Sequence, residues 1–292
     1  NKFISITEDS FNVYFLCDNG IFIYDFLDDV FFYDFELSKG LKKENKYFLY
    51  YHPNVDYFFV ITSHYILYRS GVGGHWDKKY LYELDIPSGA TINNLGGSED
   101  YIIIEFNNQK IILDAFSLAS NDDVSFDDFD YITWSNSFYG ISNINIDLSQ
   151  YYTNDNTIIS DMSIIDKSNM TSYLTTVMLD KQDNLWIGTN TGQLFKGNDF
   201  SYLLERFDMA PLIDVPSGIY LDNQHNWYFY DRYFRRTGYD SYSNKEGYFL
   251  SIWNEDTNIW RHFPKNESII TNNLIVNDIY RVKDFLLVLS LD

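Results

Sequence analysis

The sequence predicts an all-β chain, a β-propeller of about six or seven four-stranded blades with a truncated last blade, and three observations predict it. Phe, Tyr and Trp make up 19% of the 292 residues. Alanine occurs only at Ala90, Ala115, Ala119 and Ala210. Aromatic and β-branched side chains lose rotamer freedom in a helix and fit a pleated surface better, so this composition favours strands. Third, a hairpin-like unit recurs at a period of about 40 residues, the signature of a repeat architecture.

In chain order, the first unit is Tyr14 to Tyr24, an aromatic six residues before the turn glycine Gly20. Weaker copies run from Tyr57 to Tyr68, turning near His64, and from Tyr101 to Leu113, turning near Asn108. Trp134 and Gly140 have the separation of Tyr14 and Gly20 and mark a fourth copy. The clearest copy is Leu179 to Phe195: a polar turn at Lys181 to Asn184, an apolar strand, a second turn closed by Gly192 and a returning strand. Leu221 to Phe229 repeats its first half, with Asp222 on Asp180 and Asn226 on Asn184. The last copy, Asn277 to Val288, stops before its second turn. Uneven spacing between residues 114 and 180 and between 230 and 276 reads as loop insertions within one propeller or propeller fragment spanning 1–292. Each hairpin has an apolar face that only a neighbouring sheet can bury, hence stacked blades. The chain opens without an initiator Met, and Phe285 to Asp292 reads as a strand running into the terminus, so it is expected to be part of a longer protein.

Charge excludes some partners. Acids outnumber bases 42 to 21, a formal charge of −21 that opposes binding to nucleic acid phosphates and anionic membrane surfaces. No apolar run is long enough to cross a bilayer, so no direct membrane insertion is expected. Cys17, the single cysteine, cannot form an internal disulfide.

Asp183-Asn184-Leu185-Trp186-Ile187-Gly188-Thr189, followed by Gly192-Gln193-Leu194-Phe195, resembles the repeat of the two-component regulator propeller family. Pro264 to Ile275 is similar to the interblade connection of the same repeats. Tyr14, Trp134 and Tyr228 stand where that family has its Trp, without the Gly-Thr that follows it. The resemblance implies an extracytoplasmic propeller, periplasmic or extracellular, of the kind that forms the sensory half of hybrid histidine kinases detecting glycan fragments. It also implies kinship with surface and secretion-associated proteins. No kinase, receiver or DNA-binding motif is present, so any signalling output is expected outside this chain.

No local motif sets a nucleophile against an acid or base. His52, His64, His75, His225 and His262 are scattered without metal-ligand spacing, and no cofactor or metal is expected. Gly71 to Trp76 is glycine-rich but lacks the strand-to-helix context of a phosphate cradle, and reads as a loop carrying an exposed Trp. Asn121 to Asp130 reads as a solvated acidic loop; clustered carboxylates suit calcium, but the alternating ladder and turn glycine of a calcium loop are missing.

One segment stands out. Arg232, Arg235 and Arg236, beside Tyr233 and Tyr239, concentrate positive charge in a strongly acidic chain, in an insertion that follows the strand equivalent to Leu185 to Thr189. Arginine forks bind carboxylate or sulfate bidentately and aromatic rings pack on sugar faces; neutralisation of neighbouring acids is the plainer role. With the short turn at Asn190 and Thr191, these residues form the expected ligand-binding set on one rim of the propeller. The sequence therefore predicts a non-catalytic sensor propeller for an extracellular glycan or other anionic ligand. The alternative is a structural or protein-interaction propeller with a protein partner or a second copy of itself; a propeller enzyme ranks third.

Overall fold

Aspartates and asparagines divide the chain into short apolar runs, and those runs become strands. The computed structural model describes residues 2–41, 46–121, 123–135, 146–154, 157–160, 162–166, 171–198, 200–208, 216, 218–230, 248–255, 259–264, 275–282 and 285–291. Among them the helical elements are short, such as α1 (Phe35–Ser38) and the 3₁₀ turns Leu81–Leu84 and Phe126–Asp128. The rest of the regular structure is strand, in antiparallel sheets of propeller-blade type.

Two compact units divide the chain, one of Asn1–Asp147 with Leu174–Tyr202 and one of Leu148–Tyr173 with Leu203–Asp292. The first unit begins with two four-stranded meanders. Blade A is β1 (Phe3–Glu8), β2 (Asn12–Cys17), β3 (Gly20–Asp25) and β4 (Val30–Asp34); blade B is β5 (Lys46–His52), β6 (Tyr57–Thr62), β7 (Tyr65–Ser70) and β8 (Asp77–Tyr80). Blade C contains β9 (Ile92–Ser98), β10 (Tyr101–Phe106), β11 (Gln109–Asp114) and β12 (Thr133–Trp134) in the spatial order β11-β10-β9-β12. A hairpin, β13 (Ile158–Ile159) and β14 (Ser163–Ile165), lies in the second unit and pairs through β14 with the first residues of β15 (Thr171–Leu179). From Leu174 onward β15 belongs to the first unit, where it forms blade D with β16 (Asn184–Thr189) and β17 (Gln193–Asn198). The second unit continues with β18 (Glu205–Asp208), a four-stranded blade of β19 (Gly218–Leu221), β20 (Asn226–Tyr230), β21 (Tyr248–Asn254) and β22 (Ile259–Pro264), and the hairpin β23 (Ile275–Val282) and β24 (Phe285–Leu291).

Strand period explains the core. In β6 the alternating residues Phe58 and Val60 join Tyr14, Leu16, Ile21 and Ile23 of blade A, while Phe59 and Ile61 join Leu95, Ile102 and Ile104 of blade C. A strand buried on both faces thus reads as a continuous apolar run rather than an alternating one. In β2, Phe15 points the other way and meets Trp186 of blade D edge-on at 5.0 Å. Polar stitches join neighbouring blades: Ser5 donates to the Leu49 carbonyl (3.3 Å) and Tyr51 N–H to Thr7 Oγ1 (3.1 Å) between the first strands β1 and β5, and His52 Nε2–H of β5 to the Tyr101 carbonyl of β10 (3.2 Å).

Six of the seven expected hairpins are present among the described residues, at β2–β3, β6–β7, β10–β11, β16–β17, β19–β20 and β23–β24. The return half of the copy expected at Trp134 lies outside the described residues; Trp134 itself lies on the two-residue strand β12, which pairs with β9 through Thr133↔Gly97 and Trp134↔Gly96. Glycine permits this close approach, since a Cβ on Gly96 would stand 2.5 Å from the Thr133 carbonyl oxygen. Gly140 lies outside the described residues. Trp76, expected to be exposed, packs against the core between blades A and B, and its indole N–H donates to the Leu37 carbonyl at 2.8 Å.

Candidate functional site

The turns between strands position every candidate residue, and one device recurs in them. Asp180 Oδ1 accepts from Gln182 N–H (2.9 Å), Asn184 N–H (2.8 Å) and Asn184 Nδ2 (3.1 Å), while its Oδ2 accepts from the buried Trp186 indole at 2.7 Å. Asp222 repeats this with Gln224 N–H (2.8 Å), Asn226 N–H (3.0 Å), Asn226 Nδ2 (3.1 Å) and Tyr228 OH (2.9 Å). Asp9 does the same one residue tighter, with Phe11 N–H, Asn12 N–H and Tyr14 OH at 2.6, 2.7 and 2.6 Å. One carboxylate therefore closes the turn and orients the aromatic of the following strand. Burial acts to raise the Asp222 carboxyl, but the donors from Asn226, Gln224 and Tyr228 overcome it and hold its pKa at about 2. The match of Asp222 to Asp180 was visible in the sequence; the aspartate-to-aromatic bond was not, although an Asp six residues before Trp or Tyr is its signal.

Asn190 and Thr191 form the β16–β17 turn. Thr189 Oγ1 accepts from Gln193 N–H (3.0 Å), donates to the Gln193 carbonyl (3.1 Å) and lies 3.1 Å from Thr191 Oγ1. Gly192, at φ 87°, supplies the left-handed residue that closes the turn. Asn190 is exposed and Thr191 half-buried. Arg232, Tyr233, Arg235, Arg236 and Tyr239 lie outside the described residues, within 231–247. The strands at the two ends of that segment are described: β20 and β21 pair from Asn226↔Asn254 to Tyr230↔Leu250.

Sequence reasoning also missed a cavity of about 570 Å³ against β11, lined by Asp85, Phe106, Gln109, Lys110, Ile111, Ile112, Ser120, Asn121 and Val124. Lys110 Nζ stands 3.6 Å from the Phe126 ring centroid and 6.0 Å from that of Trp134, a cation–π arrangement beside this cavity. In the acidic loop, Ser125 and Asp128 form a capping box, with Ser125 N–H donating to Asp128 at 2.7 Å. Among the described residues no group of three or more His, Cys, Asp or Glu side chains is placed to share a metal ion.

Other displaced titratable groups lie in blades A and B. Burial raises Tyr14, Cys17 and Tyr50 and lowers His52, and burial with the adjacent Asp56 carboxylate pushes Tyr51 up to about 12. All five are in strands of blades A and B. Among the described residues no helix is long and apolar enough to cross a membrane.

No protein-family model matches the chain, and no curated protein matches it. Similar solved structures include PorZ, a bacterial surface component of the type-IX secretion system of Porphyromonas gingivalis, at 13% identity and a TM-score of 0.34 over 91% of this chain and 33% of that one. The extracellular domain of the putative hybrid two-component system BT4673 from B. thetaiotaomicron is similar at 12% identity and a TM-score of 0.30, over 96% of this chain and 30% of that one. The β-propeller domain of Cps50 (Swd1) from Myceliophteria thermophila is similar at 11% identity and a TM-score of 0.28, over 89% and 71%. The chain spans about a third of the length of the PorZ and BT4673 structures.

Proposed function

We propose that this chain is a non-catalytic, extracytoplasmic ligand-binding propeller, the sensory part of a two-component receptor, and that Arg232, Arg235 and Arg236 with Tyr233 and Tyr239 recognise an anionic carbohydrate. The observation that carries the reading is the β20–β21 ladder, whose five residue pairs hold the two ends of segment 231–247 together. A long loop on a paired stem is a common position for binding residues. Segment 231–247 concentrates arginine in a chain of net charge −21, so an acidic ligand meets positive charge at this segment. Resemblance of the Trp186 repeat to the two-component regulator propellers supports the extracytoplasmic sensory setting. The non-catalytic reading is supported by the shifted groups of blades A and B, which burial in strands accounts for.

Calorimetric titration with acidic and neutral oligosaccharides, on the native protein and on an Arg235→Ala, Arg236→Ala variant, tests it. A charge-assisted hydrogen bond contributes about 1.5 to 3 kcal/mol, so the variant should bind acidic sugars at least about tenfold more weakly. Equal affinity of the two proteins, or equal affinity for neutral and acidic sugars, would remove the assignment.

A further inference from the structure

A strand at the edge of a sheet offers unpaired backbone groups to any passing chain, and most natural edges carry a guard against this. Three outer strands here are guarded. β8 reads Asp77-Lys78-Lys79-Tyr80, with Lys78 lying over the rings of Tyr65 and Tyr80 at 5.7 and 5.1 Å. The chain after β11 covers that strand, through the Leu113↔Ser120 bridge and the bond from Asn121 N–H to the Ile112 carbonyl. β22 carries Arg261 and ends on Pro264.

β4 has none of these guards. It reads Val30-Phe31-Phe32-Tyr33-Asp34, without Lys, Arg or Pro, and is the terminal strand of blade A. Val30 and Phe32 are 45% and 41% exposed, and Leu27 and Phe35 at its two ends are 76% and 78% exposed. The strand is nevertheless anchored on its inner side and at its end. Phe31 stacks on Phe22 at 5.5 Å, Tyr33 OH donates to the Asn19 carbonyl at 2.9 Å, and Asp34 caps α1 by accepting from Leu37 N–H at 2.7 Å.

Charge selects the occupant. From Phe3 to Ser38 the sequence holds eight acids and no Lys, Arg or His. Asp28, Asp29 and Glu36 are exposed beside β4, where Lys196 of blade D comes within 3.8 Å of Asp29. A second copy of this chain would bring another −21 to an already acidic edge. We propose that β4 is a docking edge for a different protein, which adds an extended segment of alternating apolar and Lys or Arg residues as a fifth strand of blade A. Backbone hydrogen bonds supply the affinity, the apolar residues cover Val30 and Phe32, and the basic residues meet Asp28, Asp29 and Glu36. This edge is independent of the anion-binding reading and stands or falls separately from it.

The test uses a fluorescent eight-residue peptide of alternating valine and lysine, read by anisotropy at physiological salt. Four controls accompany it: the same peptide with alternate amides N-methylated, a valine–glutamate peptide, and the protein variants Phe32→Lys and Ile158→Lys. Ile158, on β13 of a different sheet, is also accessible, at 63% exposure, and takes the same charge change. The valine–lysine peptide should bind the native protein, at least tenfold more weakly to Phe32→Lys and within twofold to Ile158→Lys, and both modified peptides should fail. If Phe32→Lys melts below the native protein, Phe32→Thr, which keeps strand propensity without the apolar ring, replaces it. Absence of binding, or binding indifferent to N-methylation or to Phe32→Lys, overturns the proposal. So does a native dimer in sedimentation that Phe32→Lys dissolves, since the occupant would then be a second copy.

Discussion

The hairpins β16–β17 and β20–β21 begin alike and end differently. Both start from an aspartate that gathers two backbone N–H groups, an asparagine amide and an aromatic donor. At the other end, β16–β17 closes through Thr189 and Gly192, whereas β20–β21 opens into segment 231–247. The aspartate end repeats because it fixes the register of each hairpin and the rotamer of its aromatic. At the opposite end the ladder between the two strands already sets the register, so the length of the connection can change without disturbing the blade. The aromatics differ too: Trp186 packs between Phe15 and Tyr24 at 5.0 and 4.9 Å, while Tyr228 lies in a smaller cluster with Tyr230, Leu250, Tyr220 and Ile252.

The largest expected effect separates the two aromatics. Trp186→Ala empties a fully buried site against blade A and should cost about 3 to 5 kcal/mol in denaturant unfolding. A loss below about 1 kcal/mol would mean that the blade D contact with blade A contributes little.

A smaller effect separates the two aspartates. The Trp186 indole N–H can only donate, so in Asp180→Asn the new amide either faces that donor or gives up the turn; about 1.5 to 3 kcal/mol should be lost. Tyr228 OH can rotate and accept, so Asp222→Asn should cost only about 1 kcal/mol. Equal losses in the two variants would show that the aromatic partner is irrelevant to the turn.

A further effect is the pH dependence at Asp222. Its folded pKa of about 2 lies below the unfolded value of about 3.9, so its contribution to stability is complete above the unfolded value and is lost as pH falls through the folded one. Melting between pH 5 and pH 2 should therefore fall more steeply for the native protein than for Asp222→Asn. Parallel curves would contradict the depressed carboxyl.

Much of the fold was legible in the sequence because its signals are local. Polar turns at Lys181 to Asn184 and Asn223 to Asn226, each before a run of apolar residues, mark where strands begin, and the repeat spacing located six of the hairpins. The site was less legible. Thr191 could be assigned to a turn, but its hydroxyl's approach to Thr189 depends on the conformation set by Gly192. The cavity against β11 draws on residues from Asp85 to Val124, and no sequence window shows that they converge.

By itself the sequence determined the strand class, the punctuation by Asp, Asn and Gly, and the acidity of Phe3 to Ser38, all properties of residues and their near neighbours. Tertiary structure alone decided that Trp76 is docked on Leu37 rather than exposed, and that Trp134 pairs across Gly96 of β9. It also decided that Phe32 remains at an uncovered edge while Phe58 and Phe59 are buried. Strands of similar composition differ in exposure because burial depends on which sheet packs against each face, and those contacts join residues tens of positions apart.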